Sequence, residues 1–166
     1  MDPATITTGR LLLTPLRGAD ADAMAGVLRD EALHEFTGGV PLGLVELRRR
    51  YDRLEAGSGD PDECWLNWIV RRQPDGEAIG TVQATLTRLD GGWTAEIAWI
   101  VGVPWQGRGY AGEAATGLVR WLREQGVPVV TACIHPDHHA SAGVAARAGL
   151  TVTAELVDGE RVWRTG

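Results

Sequence analysis

The chain has 166 residues, 44% hydrophobic and 23% charged, the proportions of one globular domain large enough for a real core. Its formal charge of −6 speaks against a general nucleic-acid binder and mildly favours cationic partners. All sixteen basic residues are arginine, which excludes a lysine nucleophile or Schiff base.

The start, Met1-Asp2-Pro3, lacks the basic cluster and apolar run of a signal peptide. No apolar stretch approaches the length of a membrane span. The expectation is a single soluble domain over residues 1–166, in the cytoplasm, without a membrane or nucleic-acid partner.

Residues 10–16 predict a first strand, which Pro15 ends or marks as a sheet edge. Residues 20–29 predict a short helix with Met24, Val27 and Leu28 inward. Residues 30–41 are irregular, broken at Thr37-Gly38-Gly39. Leu44, Leu47, Tyr51 and Leu54 then mark a second helix. Its Arg48-Arg49-Arg50 run reads as a solvated face, with a phosphate-binding patch as the alternative. Residues 57–62 form a surface loop and not a domain boundary, because the segments on either side are too short to fold alone.

Strands over residues 64–71 and 78–87, and one beginning at Trp93, make an antiparallel meander. Its turns are Gln73-Pro74-Asp75-Gly76 and Asp90-Gly91-Gly92. Cys64 and Cys133 fall in apolar strand-like runs without metal-ligand spacing, so both are expected to be buried, inert thiols. Free thiols suit a reducing compartment.

The most informative stretch is residues 96–125. An apolar run, Ile97 to Val101, breaks at Gly102-Val103-Pro104, and Trp105-Gln106-Gly107-Arg108-Gly109-Tyr110-Ala111 follows. Beyond it Ala111, Ala114, Ala115, Leu118 and Leu122 share one helical face, and Gly126 with Pro128 stops the helix. This is a strand, a glycine loop and a helix. Such a loop can bind phosphate: the first helical N–H groups lack partners, the macrodipole makes that end positive, and glycine lets an anion approach the backbone. A Walker loop is excluded because it needs lysine. A dinucleotide fingerprint lacks its third glycine and its acid.

Residues 129–134 return as a strand, parallel to the central one through a right-handed crossover. Residues 139–148 predict a short helix. Residues 150–157 and 161–163 form a last hairpin about Asp158-Gly159, the signature of a type I′ turn.

Gln106-Gly107-Arg108-Gly109-Tyr110-Ala111 resembles the pyrophosphate loop of the GCN5-related N-acetyltransferases (GNAT). The likeness continues through Ile134-His135-Pro136-Asp137-His138-His139-Ala140-Ser141, Val144 and Ala148-Gly149-Leu150. The opening Thr8-Gly9-Arg10-Leu11-Leu12-Leu13-Thr14-Pro15-Leu16 is similar to the branch that acetylates N termini of ribosomal proteins. The resemblance covers nearly the whole chain in the family's order. It implies an α/β fold: a mixed, mostly antiparallel sheet of about seven strands, splayed at the central strand, with about four helices.

The resemblance further implies attack of an amine on the thioester of acetyl-CoA, directly and without a covalent enzyme intermediate. Backbone amides of Gln106, Gly107, Arg108, Gly109, Tyr110 and Ala111 are then expected to wrap the pyrophosphate. Ile100, Val101 and Val103 are expected to offer main-chain contacts to the pantetheine arm, as an added strand would take. A free N–H near Val101 would polarise the thioester carbonyl.

Glu96 is the candidate base, through water, with a solvated or ion-paired strand-end glutamate as the alternative. An α-amine, of pKa near ~8, is partly neutral at neutral pH, whereas a lysine amine near ~10.4 needs roughly 3 kcal/mol more to reach the same neutral fraction. Ser141 is the candidate proton donor to the leaving thiolate, or a helix cap. Two departures from the family pattern stand out. His138 replaces the usual Asn toward the cofactor, and Ala145 removes the tyrosine acid many members carry. His135, His138 and His139 make a histidine-rich patch that no carboxylate or thiol pattern completes, so no metal is expected.

Glu31, His34, Glu35 and Phe36 are the candidate acceptor-binding residues, because acids there suit an ammonium. The expected acceptor is an amine, a protein or peptide N terminus. The alternatives are a small-molecule amine such as an antibiotic or polyamine, or a non-catalytic acyl-CoA-binding module. The chain is expected as a monomer or homodimer, with the last hairpin as candidate dimer edge by fold-level analogy.

Overall fold

A computed structural model describes residues 1–166. Strands β1 (Ile6–Thr7), β2 (Leu11–Pro15), β3 (Glu63–Arg72), β4 (Ala78–Leu89) and β5 (Gly92–Val101) each run antiparallel to the next. Strand β6 (Val129–Ile134) joins β5 in parallel. The last hairpin, β7 (Leu150–Val157) and β8 (Glu160–Thr165), adds through β8, giving one sheet of order β1-β2-β3-β4-β5-β6-β8-β7.

Four helices cover the sheet: α1 (Ala21–Val27), α2 (Leu44–Ala56), α3 (Tyr110–Glu124) and α4 (His139–Arg147). Side-chain alternation along the strands makes two cores. On one face Leu13, Trp68, Val82, Leu86 and Ile97 pack with Ala114, Ala115, Leu118 and Leu122 of α3. Trp68 meets Trp121 edge-on with ring centroids 5.3 Å apart. Each fully buried leucine here contributes about 1.5–3 kcal/mol. On the other face α1 and α2 seal Leu16, Met24, Leu47, Tyr51 and Ile69 into a smaller cluster.

The connection that matters for function is β5 to β6. Their pairing is confined to Thr94–Glu96 against Val129–Thr131. Beyond Glu96 the strands part, so Ile97 to Val101 has no β6 partner. At the end of β5 the Gly102 N–H bonds to the Ile79 carbonyl, and a 3-10 turn, Val103–Trp105, carries the chain toward α3.

Two expectations are corrected. The sheet has eight strands, not about seven: β1 is two residues long, too short for an alternation signal, and is fixed by pairing Ile6 with Leu13. Cys64 and Cys133 are only half-buried. Cys133 stands between buried Ala132 and Ile134, and the two-residue period turns it to the opposite face.

Candidate active site

The splay opens a cleft of about 840 Å³, within the usual range for a small-molecule site. Its walls are β5, β6, the start of α3, the start of α4 and the segment 32–37.

The glycine loop forms the floor at one end. Gly107 and Gly109 adopt φ of +74° and +81°, in the left-handed region that favours glycine. A Cβ on Gly107 would meet only open space. A Cβ on Gly109 would lie 3.1 Å from Arg147 Nη1 and 3.4 Å from Arg10 Nη2. Gln106 Nε2 donates to the Val101 carbonyl at 3.0 Å, tying the loop to the end of β5.

Arg10 fastens the loop from outside. Its Nε meets Glu113 Oε2 at 2.7 Å, its Nη1 donates to the Arg108 carbonyl at 3.0 Å, and its guanidinium lies 4.5 Å from the Tyr110 ring centroid. Glu113 also accepts from the Thr8 hydroxyl at 2.6 Å and from the Arg10 backbone N–H at 2.7 Å. Burial pushes the Glu113 carboxyl up, but these donors outweigh it and hold the group below its ordinary value.

A second cluster sits at the start of α4. The Ser141 backbone N–H donates to His138 Nδ1 at 3.2 Å, so the neutral ring carries its proton on Nε2. Nε2 lies 3.2 Å from Ser141 Oγ, and Trp99 Nε1 donates to the same Oγ at 3.3 Å. Two donors therefore occupy the lone pairs of the Ser141 hydroxyl and leave its own proton free to donate. Burial lowers the His138 pKa, which favours this neutral form. Phe36 packs against His138 and His135, with centroids 4.3 and 5.3 Å away.

Glu96 and Cys133 share the sheet face opposite Trp99. Glu96 Oε2 is 3.7 Å from Cys133 Sγ. Burial, then the charge of Glu96, pushes the Cys133 thiol up to about 11. Cys133 is thus a protonated donor and not a nucleophile.

The cleft wall includes Ile100, Val101, Gln106, Gly107, Gly109, Tyr110, Ala111, His138 and Ser141, together with Glu35 and Phe36. Other candidates lie off the wall. Glu96 is exposed at the margin, behind Cys133, which does line the cleft. Val103 is not in a strand; it opens the 3-10 turn. Arg108 is exposed and presents its carbonyl to Arg10. Glu31 is exposed, and His34 Nδ1 lies 3.3 Å from the Gly38 carbonyl, because residues 31–34 wind as a 3-10 turn that aims only part of the segment inward. Ala145 is fully buried, so nothing polar stands at that position. Sequence reasoning missed Arg10, Glu113 and Arg147. Arg10 and Glu113 are joined across 103 residues, and no local pattern announces such a pair.

The acetyltransferase (GNAT) domain family matches residues 10–151. No curated protein matches the chain by sequence. An acetyltransferase structure from Agrobacterium tumefaciens is similar over 100% of this chain and 96% of its own, with 27% identity and a TM-score of 0.74. An acetyltransferase from Salmonella typhimurium, described as modifying the N-terminal serine of a 50S ribosomal subunit protein, is similar over 97% and 98%, with 17% identity and a TM-score of 0.78. The microcin C7 self-immunity acetyltransferase in complex with acetyl-CoA and AMP is similar over 95% and 93%, with 14% identity and a TM-score of 0.77.

Proposed function

The chain belongs to the GNAT acetyltransferase family and is an acetyl-CoA-dependent N-acetyltransferase, and we propose that its acceptor is the α-amine of a peptide or protein N terminus. The observation that carries this reading is the placement of Glu96, exposed at the cleft margin with a thiol as its hydrogen-bond partner. An α-amine of pKa near ~8 is already partly neutral at neutral pH and asks little of such a group, whereas a lysine amine near ~10.4 needs roughly 3 kcal/mol more to reach the same neutral fraction.

The residues present fit acetyl-CoA. Gly107 and Gly109 leave the backbone bare where a pyrophosphate approaches, and the first N–H groups of α3 point into the same space. Arg147 supplies positive charge beside Gly109. The stretch Ile97 to Val101, open on its β6 side, offers main-chain groups to the pantetheine arm. When bound, acetyl-CoA supplies an acetyl group activated as a thioester.

The remaining chemistry falls to side chains on opposite faces of the sheet. Glu96 takes a proton from the incoming ammonium through water, on the face it shares with Cys133. Ser141 Oγ gives a proton to the leaving sulfur on the Trp99 face, and Trp99 and His138 hold that hydroxyl in its donating orientation. No covalent enzyme intermediate is needed, and a thiol held at about 11 does not offer one. Glu35 and Phe36 border the acceptor side.

The test is calorimetric titration with acetyl-CoA beside a Gly109→Asp variant, followed by acetyl transfer to matched peptides with free and blocked N termini. Binding lost in the variant and transfer only to free α-amines support the reading. Equal transfer to lysine side chains in blocked peptides overturns the acceptor assignment.

A further inference from the structure

A second groove lies on the acceptor face of the sheet, beneath α2. It measures about 440 Å³, and Arg50, Arg53, Trp65, Asn67, Gln83 and Thr85 line it. Of the arginine run noted in the sequence, exposed Arg50 borders this groove, joined by Arg53 one turn on. Neither Arg50 nor Arg53 makes an ion pair, although Arg17, Arg48 and Arg71 around α1 and α2 do. The amide of Asn67 is the second observation. This residue is only 9% exposed, and its side chain makes no hydrogen bond, yet it lines the groove. Its amide is therefore free to bond to whatever occupies the groove.

The groove adjoins the cleft through the sheet register. Ala98, on the cleft wall, is paired with Gln83, and Gln83 is paired with Asn67. Directly paired residues share a face, so Ala98, Gln83 and Asn67 form one row across β5, β4 and β3. Two strand spacings separate its ends, about 10 Å. Carboxylates stand at the cleft end, Glu96 and Glu35. Unpaired guanidiniums stand at the other. An acceptor lying along this row meets negative charge at its amine and positive charge about three extended residues away.

We propose that this groove binds a carboxylate of the acceptor, so that the enzyme selects N termini carrying an acidic side chain at about the third or fourth position. Arg50 and Arg53 take the carboxylate oxygens, and Asn67 and Gln83 hold the backbone that crosses β4. The proposal rests on the peptide reading above for its acceptor, but the site does not: any primary amine with an anion about 10 Å away uses the same row.

The experiment compares kcat/KM for a peptide with glutamate at position three and its glutamine counterpart, beside an ω-amino carboxylate and its amide. Wild type is set against Arg50→Ala/Arg53→Ala and against Arg53→Glu, with acetyl-CoA binding and circular dichroism as folding controls. The expected result is at least about tenfold preference for the acidic peptide, carried by KM, falling to about one in the double alanine variant. Arg53→Glu is expected to turn the preference toward a peptide with lysine at position three. Equal use of both peptides by wild type, or a preference that survives the double substitution, overturns the groove and leaves the peptide reading standing. Use of the small amino carboxylate over its amide, with both peptides idle, supports the groove and overturns the peptide reading. No turnover of any acceptor by protein that binds acetyl-CoA overturns both.

Discussion

The Cys133 thiol lies 3.7 Å from a carboxylate oxygen of Glu96 and donates to it. The pair ties the candidate base to β6, the strand that parts from β5 just beyond it. It also removes the one thiol in the cleft from nucleophilic chemistry. With a pKa of about 11, the Cys133 thiol stays protonated at pH 7.5.

Alkylation reads this directly. In a Cys64→Ser background, iodoacetamide is expected to label Cys133 far more slowly than a free cysteine at pH 7.5, with the rate rising through about pH 11. Glu96→Gln removes the negative charge beside the thiol, so the pKa falls and labelling speeds several-fold. Burial, the larger cause, persists, so the thiol stays above its ordinary value. Labelling of the Gln variant at the wild-type rate would falsify the pairing.

The two loop glycines are predicted to behave differently. Both have positive φ, so alanine at either costs about 1–2 kcal/mol of backbone strain. Around Gly107 nothing else stands in the way. At Gly109 the added methyl lies 3.1 Å from Arg147 Nη1, which must give by a few tenths of an ångström, while Arg10 Nη2 at 3.4 Å is in ordinary contact. Gly109→Ala should therefore weaken acetyl-CoA binding by about two- to threefold more than Gly107→Ala, through the shifted Arg147, measured by calorimetry at matched stability.

Glu113 is predicted to be a pH-dependent clasp. Its folded pKa lies below the ordinary value, so its contribution is fully present above about pH 4.5 and is lost as pH falls through the lowered folded value. Glu113→Gln should cost about 1.5–3 kcal/mol at pH 7, because three donors lose a charged acceptor. Urea titrations of wild type and variant should converge as the pH drops toward 3. A gap that stays constant over that range contradicts the clasp.

Much of this architecture is legible in local patterns. The apolar run from Val129 to Ile134, after the break at Gly126 and Pro128, marks β6 to the residue, and Asp158 with Gly159, at φ of +50° and +83°, makes the last hairpin turn that the dipeptide announces. The helical face of α3 is equally plain, because small and apolar residues recur at its period. What local pattern cannot carry is contact between distant segments. Arg10 reads as the first residue of a strand, and Arg147 as an exposed helical residue; only the fold brings both to Gly109. Asn67 sits in an apolar strand as if by accident until the register sets it beside Gln83 and under α2. Glu31 and His34 lie off the cleft wall for a similar reason, since composition marks the segment and its 3-10 winding decides which side chains turn inward.

The serine cluster gives the last prediction. Ser141 Oγ accepts from Trp99 Nε1 and faces His138 Nε2, so its proton is the part of the hydroxyl left to use. Ser141→Ala should lower kcat by about 10²-fold while acetyl-CoA affinity changes little. Trp99→Phe opens one lone pair and lets the hydroxyl rotate, costing about one neutral hydrogen bond, or roughly three- to tenfold in kcat. His138→Asn keeps an acceptor for the Ser141 N–H and a donor for its oxygen and should retain most activity, whereas His138→Ala loses both. The pH profile separates this from a merely structural role. Burial lowers the His138 pKa, so the ring is neutral at pH 7 and gains its second proton only below its ordinary value. That proton goes to Nδ1, ends the bond from the Ser141 N–H and frees the serine from its cap. An acid limb in kcat below about pH 6.5 is therefore expected in wild type and should be missing in His138→Asn. If both proteins lose activity along the same acid limb, His138 does not set the serine, and Trp99 alone orients it.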